Sequence, residues 1–296
     1  MMQVLNGSLV ALVTPMISGG GIDFDALNKL IDWHIQEGTN GIVSVGTTGE
    51  SATVNFEEHI EVIKHTISYV DGRLPVIAGT GANSTLEALD LTKEAKMIGA
   101  DYALIVTPYY NKPSQKGLIE HYTKIADSVD IPQILYNVPS RTACDLLPGT
   151  SEILSEHKNI VGIKEAVNEE ERIKDLIKIS LSNESFKIYS GDDPSFLKML
   201  SLGGHGVISV AANVVPKSIS SICTFYQNNE VEKAEEINNK LNNLYDLLFI
   251  QSNPIPVKWM MYKMGLIQNA LRLPLVELDK KYQEILISEM LKLELL

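Results

Sequence analysis

The first residue to weigh is Lys164, which closes the short apolar run IVGIKEA at 160–166. The run suits a buried strand, and an ammonium is costly to bury. Such a lysine either stretches out to water along its methylene stem or is kept inside for its reactivity. Apolar surroundings weaken an amine's preference for the charged form, so its pKa falls and the neutral amine can attack a ketone to form a Schiff base. On this stretch alone both readings stand. Other apolar runs also finish on polar groups: Thr47 and Thr48 in GTTGE, Tyr109 with Tyr110, Tyr136 and Asn137 followed by Arg141, and Gly191 with Asp192. Singly, each has an ordinary explanation. GTTGE could be a plain hydroxyl-stabilised turn, the tyrosines a packing pair and Arg141 a surface ion-pair partner.

Whether they meet depends on the elements that carry them. Short apolar runs at 8–15, 41–50, 75–81, 102–110, 132–139, 160–166, 187–193 and 206–213 read as strands. Between them lie amphipathic stretches at 23–38, 55–70, 84–98, 117–129, 147–156, 169–181 and 195–202, and a last one opens at Pro216 and runs to about 226. In the first, Leu27, Leu30, Ile31 and His34 share one helical face, Asp23 is a plausible N-cap and Gly38 a stop. Eight βα units predict a parallel sheet with right-handed crossovers, and the lack of a ninth strand favours a closed (β/α)8 TIM barrel over an open doubly wound sheet. The expected organisation is a barrel over 1–228 and a C-terminal helical region over 229–296 with no flexible linker before it. In such a barrel the functional groups gather at the C-terminal ends of the strands, so Lys164, Tyr136, Arg141, Thr47 and Thr48 are expected at one rim. Tyr136 and Lys164 lie on consecutive strands and could face each other there.

Composition narrows the partners. At 296 residues and 45% hydrophobic, the chain can bury a sizeable core, and a net charge of −12 argues against nucleic-acid binding through a basic face. Cys144 and Cys223 have no ligand or disulfide spacing, and the six histidines show none either, so neither a disulfide framework nor a metal is expected. GTGANS at 79–84 opens no complete dinucleotide fingerprint. The N-terminal stretch lacks a basic region before its apolar run, and no run reaches the roughly 20 residues that span a bilayer. A cytoplasmic protein with no membrane association is the expectation.

The blocks VGTTGES (45–51), TPYYNKPSQKGL (107–118), YNVPSRT (136–142), GIKEA (162–166), GGHGVISVAANV (203–214) and NPIPVKWMMYKMG (253–265) resemble the dihydrodipicolinate synthase family of the pyruvate-dependent class I aldolases. The resemblance implies an activity: condensation of pyruvate with L-aspartate 4-semialdehyde through an imine on Lys164, on the route to diaminopimelate and lysine, with no external cofactor. It also implies roles. Tyr136 relays protons, Thr47 links it to Tyr110 reaching in from a neighbouring subunit, and Thr48 holds the pyruvate carboxylate. Arg141 binds the carboxylate of the second substrate, and Gly191 and Ile208 line the pocket through backbone atoms. A homotetramer built as a dimer of tight dimers is implied as well. In lysine-sensitive members the inhibitor sits at the tight-dimer interface, where the matching positions are Ser51, Ala52, Phe56, His59, Gly81, Asn83, Glu87 and Tyr109. Phe56 departs from the histidine that sensitive relatives often carry. Two alternatives stay open: an N-acetylneuraminate lyase or 2-keto-3-deoxy sugar acid aldolase of the same superfamily, which Arg141 disfavours, and a catalytically silent barrel that binds a keto acid.

Overall fold

The computed structural model describes residues 5–296. Eight parallel strands, each hydrogen-bonded to the next in chain order and the last to the first, close into a barrel. They are β1 (Gly7–Ala11), β2 (Gly41–Ser44), β3 (Val76–Gly79), β4 (Tyr102–Val106), β5 (Gln133–Asn137), β6 (Ile160–Glu165), β7 (Lys187–Ser190) and β8 (Gly206–Ser209). The helices between them are α1 (Phe24–Gln36), α2 (Phe56–Val70), α3 (Thr85–Met97), α4 (Gln115–Ser128), α5 (Pro139–Thr142), α6 (Pro148–Ser155), α7 (Glu170–Ser182) and α8 (Phe196–Ser201). After β8 come α9 (Pro216–Gln227), α10 (Val231–Leu247), α11 (Ile255–Lys263) and α12 (Lys280–Lys292). The expected (β/α)8 TIM barrel with a helical C-terminal region is therefore the fold.

The continuous apolar runs have a simple cause: each strand is covered on both faces. Along β1, Leu9 and Ala11 point into the barrel with Val43, Ile77, Leu104, Ile134 and Ile208, whereas Val10 points out to the layer under the helices. This is the two-residue period of a strand with apolar groups at both phases. The glycine inside IVGIKEA is explained by close packing, since a Cβ on Gly162 would lie 2.4 Å from the carbonyl oxygen of Lys187 on the neighbouring strand.

Helix starts follow local chemistry. Asp23 accepts from Ala26 N–H at the head of α1, and Asn55 forms a reciprocal capping box with Glu58 at the head of α2. Most strands are shorter than their apolar runs, β2 ending at Ser44 and β4 at Val106, and three further differences have a visible cause or consequence. β1 ends at Ala11, not at Pro15, because Val13 N–H turns to the side-chain oxygen of Asn213 and leaves the ladder. α4 starts two residues early, capped by Ser114. The four-residue α5, opened by Pro139, was not anticipated, and it carries Arg141.

Residues 229–296 share the barrel's packing. Leu244 and Tyr245 of α10, Trp259 and Met260 of α11, and Met290 of α12 join the outer hydrophobic layer. The Tyr245 ring meets Phe196 edge-on at 6.4 Å. We propose the division near residue 228 as a change of role within one packed body. Among the described residues no helix is long and apolar enough to cross a membrane.

Candidate active site

Tyr136 and Lys164 are register partners across β5 and β6, so their side chains leave the sheet on the same side at the same height. The Lys164 Nζ lies 4.2 Å from the centre of the Tyr136 ring, and both residues are buried. The room for this lysine comes from Gly191 just after β7, where a Cβ would stand 2.9 Å from Lys164 Cε. Burial lowers the Lys164 pKa to about 7; the carboxylate of Asp193 pulls it back up, and the Arg141 charge pushes it further down. Asp193 is itself buried, with its Oδ2 accepting from Val210 and Ala211 N–H at 3.0 and 2.9 Å. Burial raises the Tyr136 phenol to about 12, against the Arg141 charge and a hydrogen bond with Thr47, so the phenol is neutral at ordinary pH.

The next residue along β6, Glu165, points to the opposite face and is also buried. Asn137 Nδ2 donates to both of its oxygens at 3.1 Å and Val167 N–H donates at 2.8 Å, while Arg172 stands 3.5 Å away. Burial pushes its carboxyl up to about 7 in spite of these partners. The cluster anchors the end of β6 from behind, so Lys164 projects from a fixed backbone.

The turn after β2 brings Thr47 and Thr48 to the same mouth. Thr48 is buried, and its hydroxyl accepts from Asn253 Nδ2 at 3.0 Å. A cavity of about 350 Å³ opens over these groups, walled by Thr47, Thr48, Tyr136, Arg141, Lys164 and Asn253, with Gly191 also on its wall. Arg141 approaches from α5, and its guanidinium donates to the Asn253 carbonyl at 3.4 Å. An amine, a phenol, hydroxyls and one guanidinium thus surround a space of small-metabolite size. That set suits covalent capture of a keto acid with proton relay and anion recognition.

Two candidates lie elsewhere within this chain. The Tyr110 side chain is 88% exposed, and its φ of +75° holds it in the left-handed region. Ile208 sits in the packed barrel interior. A second cavity, of about 260 Å³, adjoins the first through Thr47 and Arg141. Ser51, Ala52, Phe56, His59, Glu87 and Tyr109 line it, as does Gly81. His59 Nε2 donates to Gly79 O at 2.6 Å, and Asn83 contributes a carbonyl that accepts from Asn111 Nδ2 at 2.8 Å.

Sequence reasoning missed Asn253 and Asp193 at the mouth. Asn253 opens NPIPVKWMMYKMG, a block read as helical and as part of the family resemblance but with no role for its asparagine, and no local pattern signals a contact across 205 positions. Asp193 stands in the GDD run that ended the seventh strand candidate, but its influence on Lys164 emerges only in three dimensions. Among the described residues no group of three or more His, Cys, Asp or Glu could hold a metal ion.

The sequence model of the dihydrodipicolinate synthetase family matches residues 4–292. A 4-hydroxy-tetrahydrodipicolinate synthase from Stutzerimonas stutzeri (strain A1501) is 54% identical over 281 residues, 95% of this chain and 96% of that protein. Among solved structures, dihydrodipicolinate synthase from Acinetobacter baumannii complexed with pyruvate superposes with a TM-score of 0.96 at 50% identity, covering 99% of this chain and 100% of that one. The enzyme from Cyanidioschyzon merolae with lysine bound gives a TM-score of 0.94 at 36% identity, over 98% and 99% of the two chains.

The Lys164 environment has a consequence for stability. In the unfolded chain the amine titrates as an ordinary lysine, near about 10.4, and in the folded chain at about 7. Between those values the unfolded chain holds the extra proton, so stability rises with pH across that window. Below it the cost of burying the amine is fully present. Lys164→Met removes this cost, so its urea midpoint should exceed the native one at pH 6 and the gap should close as the pH approaches 10. A gap that does not vary with pH would contradict the buried-amine assignment.

Proposed function

The chain belongs to the dihydrodipicolinate synthetase family, and from that premise we propose that it catalyses the 4-hydroxy-tetrahydrodipicolinate synthase reaction, condensing pyruvate with L-aspartate 4-semialdehyde. The observation that carries this reading is Lys164, a buried amine with a pKa lowered to about 7 beside the Tyr136 phenol. Near neutral pH a large fraction of the amine is unprotonated. It attacks the ketone carbon of pyruvate and water leaves, giving the imine. The imine draws electrons from the neighbouring methyl group, which loses a proton and becomes an enamine carbon. That carbon attacks the aldehyde of the second substrate. The second substrate's amine then attacks the imine carbon and displaces Lys164 as the ring closes.

The other residues divide the remaining work. Tyr136, neutral with its pKa raised to about 12, passes protons to and from the imine centre through its hydrogen bond with Thr47. Thr48 and the N–H groups of its turn hold the pyruvate carboxylate. Arg141 takes the carboxylate of the semialdehyde, a task suited to a planar guanidinium. Gly191 shapes the wall through its backbone, whereas Ile208, expected beside it, is packed in the barrel interior. The imine formed on the lysine supplies the electron sink, so the reaction draws on no external cofactor. Both cysteines are free and buried, which fits the cytoplasmic setting expected for the enzyme. The decisive assay incubates the protein with pyruvate and borohydride and maps the adduct, then supplies aspartate semialdehyde. An adduct on Lys164, lost in Lys164→Ala, and formation of the cyclic product are expected. No adduct would leave the silent barrel, and an adduct without ring product would leave a sugar-acid aldolase.

Tyr110 supports an assembly. An aromatic ring 88% exposed on left-handed backbone is unfavourable in an isolated chain, and Leu86 of α3 is a second large apolar side chain left 66% exposed. We place Tyr110 in the site of a two-fold-related partner, completing the relay through Thr47 in a homotetramer of two tight dimers. Light scattering should show a tetramer, and a fully active monomer would refute the arrangement.

The second cavity is proposed as a site for L-lysine. Glu87 offers a carboxylate for an ammonium, and Tyr109 and His59 line the same space. Phe56 adds a ring where a polar partner would strengthen binding; lacking one hydrogen bond typically costs ~1 kcal/mol, about fivefold in affinity. Lysine should therefore inhibit partially and weakly, and Glu87→Ala should shift the titration to higher lysine. A flat titration, or an unchanged curve in the variant, would remove this site from consideration.

A further inference from the structure

We propose that the buried ion pair between Glu50 and Lys258 positions the Thr47–Thr48 turn for its substrate, which makes Lys258 a positioning residue in a segment outside the eight βα units. The inference rests on the assignment of that turn to the pyruvate carboxylate. Both side chains are fully buried, and Lys258 Nζ donates to Glu50 Oε1 at 2.5 Å and to the carbonyl of Thr14 at 3.1 Å. Glu50 is the last residue of GTTGE and sits at φ +59°, a conformation that a glutamate adopts only when its surroundings hold it there. Its other oxygen accepts from Thr53 Oγ1 at 3.2 Å and from Arg272 N–H at 3.3 Å. The preceding residues are tied as well. Thr14 Oγ1 donates to Gly49 O at 2.6 Å, and Asn253 Nδ2 donates to Thr48 Oγ1 at 3.0 Å. Three consecutive turn residues are therefore held from outside, and two of those ties come from residues 253–258.

A buried ion pair is weak evidence for stability, because uncharged side chains of similar size often fold as well. Its value here is geometric. The carboxylate carbon of Glu50 is three bonds from its own backbone, and that backbone adjoins the hydroxyl and N–H groups that must meet an anion. Fixing the far end of Glu50 to α11 sets the height of the whole turn against Lys164. Removing the ammonium frees the turn to shift, and a misplaced carboxylate carries the ketone carbon away from the amine.

The test separates position from stability. Lys258→Met alone leaves a buried, unpaired carboxylate and should lower the melting temperature. Glu50→Gln/Lys258→Met removes both charges with little change of volume, and its melting temperature should return close to the native value. The double variant still lacks the ion-pair tie to α11, so the pyruvate concentration for half-maximal borohydride trapping on Lys164 should rise about tenfold, the scale of one lost charge-assisted hydrogen bond to the carboxylate. The kcat/KM for the semialdehyde should stay within about twofold, since that substrate meets Arg141. Glu50→Asp keeps both charges and shortens the tether by one methylene, and it too should raise the trapping midpoint. Native trapping in either folded variant, or equal losses for both substrates, overturns the positioning role. If the native protein forms no adduct with pyruvate, the proposed function falls first, and the two failures remain distinguishable.

Discussion

An amine becomes a nucleophile near neutral pH only when something removes its proton, and in this protein that agent is the closed barrel. β6 is paired on both sides, with β5 and with β7, so Lys164 emerges from the interior of a continuous sheet and not from an edge. The residue stays buried at the mouth, 5% exposed, and does not stretch out to the surface as its sequence alone left open. Desolvation then does the chemical work, and Asp193 keeps the amine from being pushed too far. Gly191 is part of the same constraint, because any side chain there would occupy the space of the lysine stem.

The opposite faces of β6 use two different solutions to buried charge. Lys164 is left to lose its proton. Glu165, one residue on, is surrounded by Asn137, Val167 N–H and Arg172, and Arg172 also pairs with Asp145 at 2.6 Å. The first arrangement leaves a reactive group facing a cavity, and the second ties three segments together. A strand that presents a lysine and a glutamate on successive residues thereby offers a proposed nucleophile on one side and rigidity on the other.

Much of this was legible in the sequence because both faces of every strand are buried. The runs were continuous, their spacing gave eight units, and polar residues at the run ends fell at one mouth as the fold class requires. The Tyr136–Lys164 pairing followed from consecutive strands and is realised as direct register. Other features depend on distance along the chain. α5 is four residues long, too short for a periodic signal, yet it delivers Arg141. Asn253 and Lys258 meet the GTTGE turn across 205 and 208 positions, and nothing in NPIPVKW states where its polar atoms point. Tyr110 was expected in a shared relay, and within one chain its ring faces solvent.

In the proposed reaction the site must draw anions to a chain of net charge −12, and with its pKa lowered to about 7 Lys164 gives up part of its positive charge near neutral pH. Arg141 answers both demands. Its charge is the one formal cation that both tunes the mouth and can pair with a carboxylate, and it lowers the pKa of Lys164 and opposes the rise in that of Tyr136. The same guanidinium therefore favours a neutral amine and lowers the pKa of the phenol, and in the proposed reaction it would attract the second anionic substrate. When that substrate's carboxylate neutralises it, both pressures relax together. In the proposed reaction Lys164 is by then held in the imine and needs no further help to stay unprotonated. The proposed order of events, keto acid first and semialdehyde second, is the order in which the electrostatics of the empty mouth are most useful.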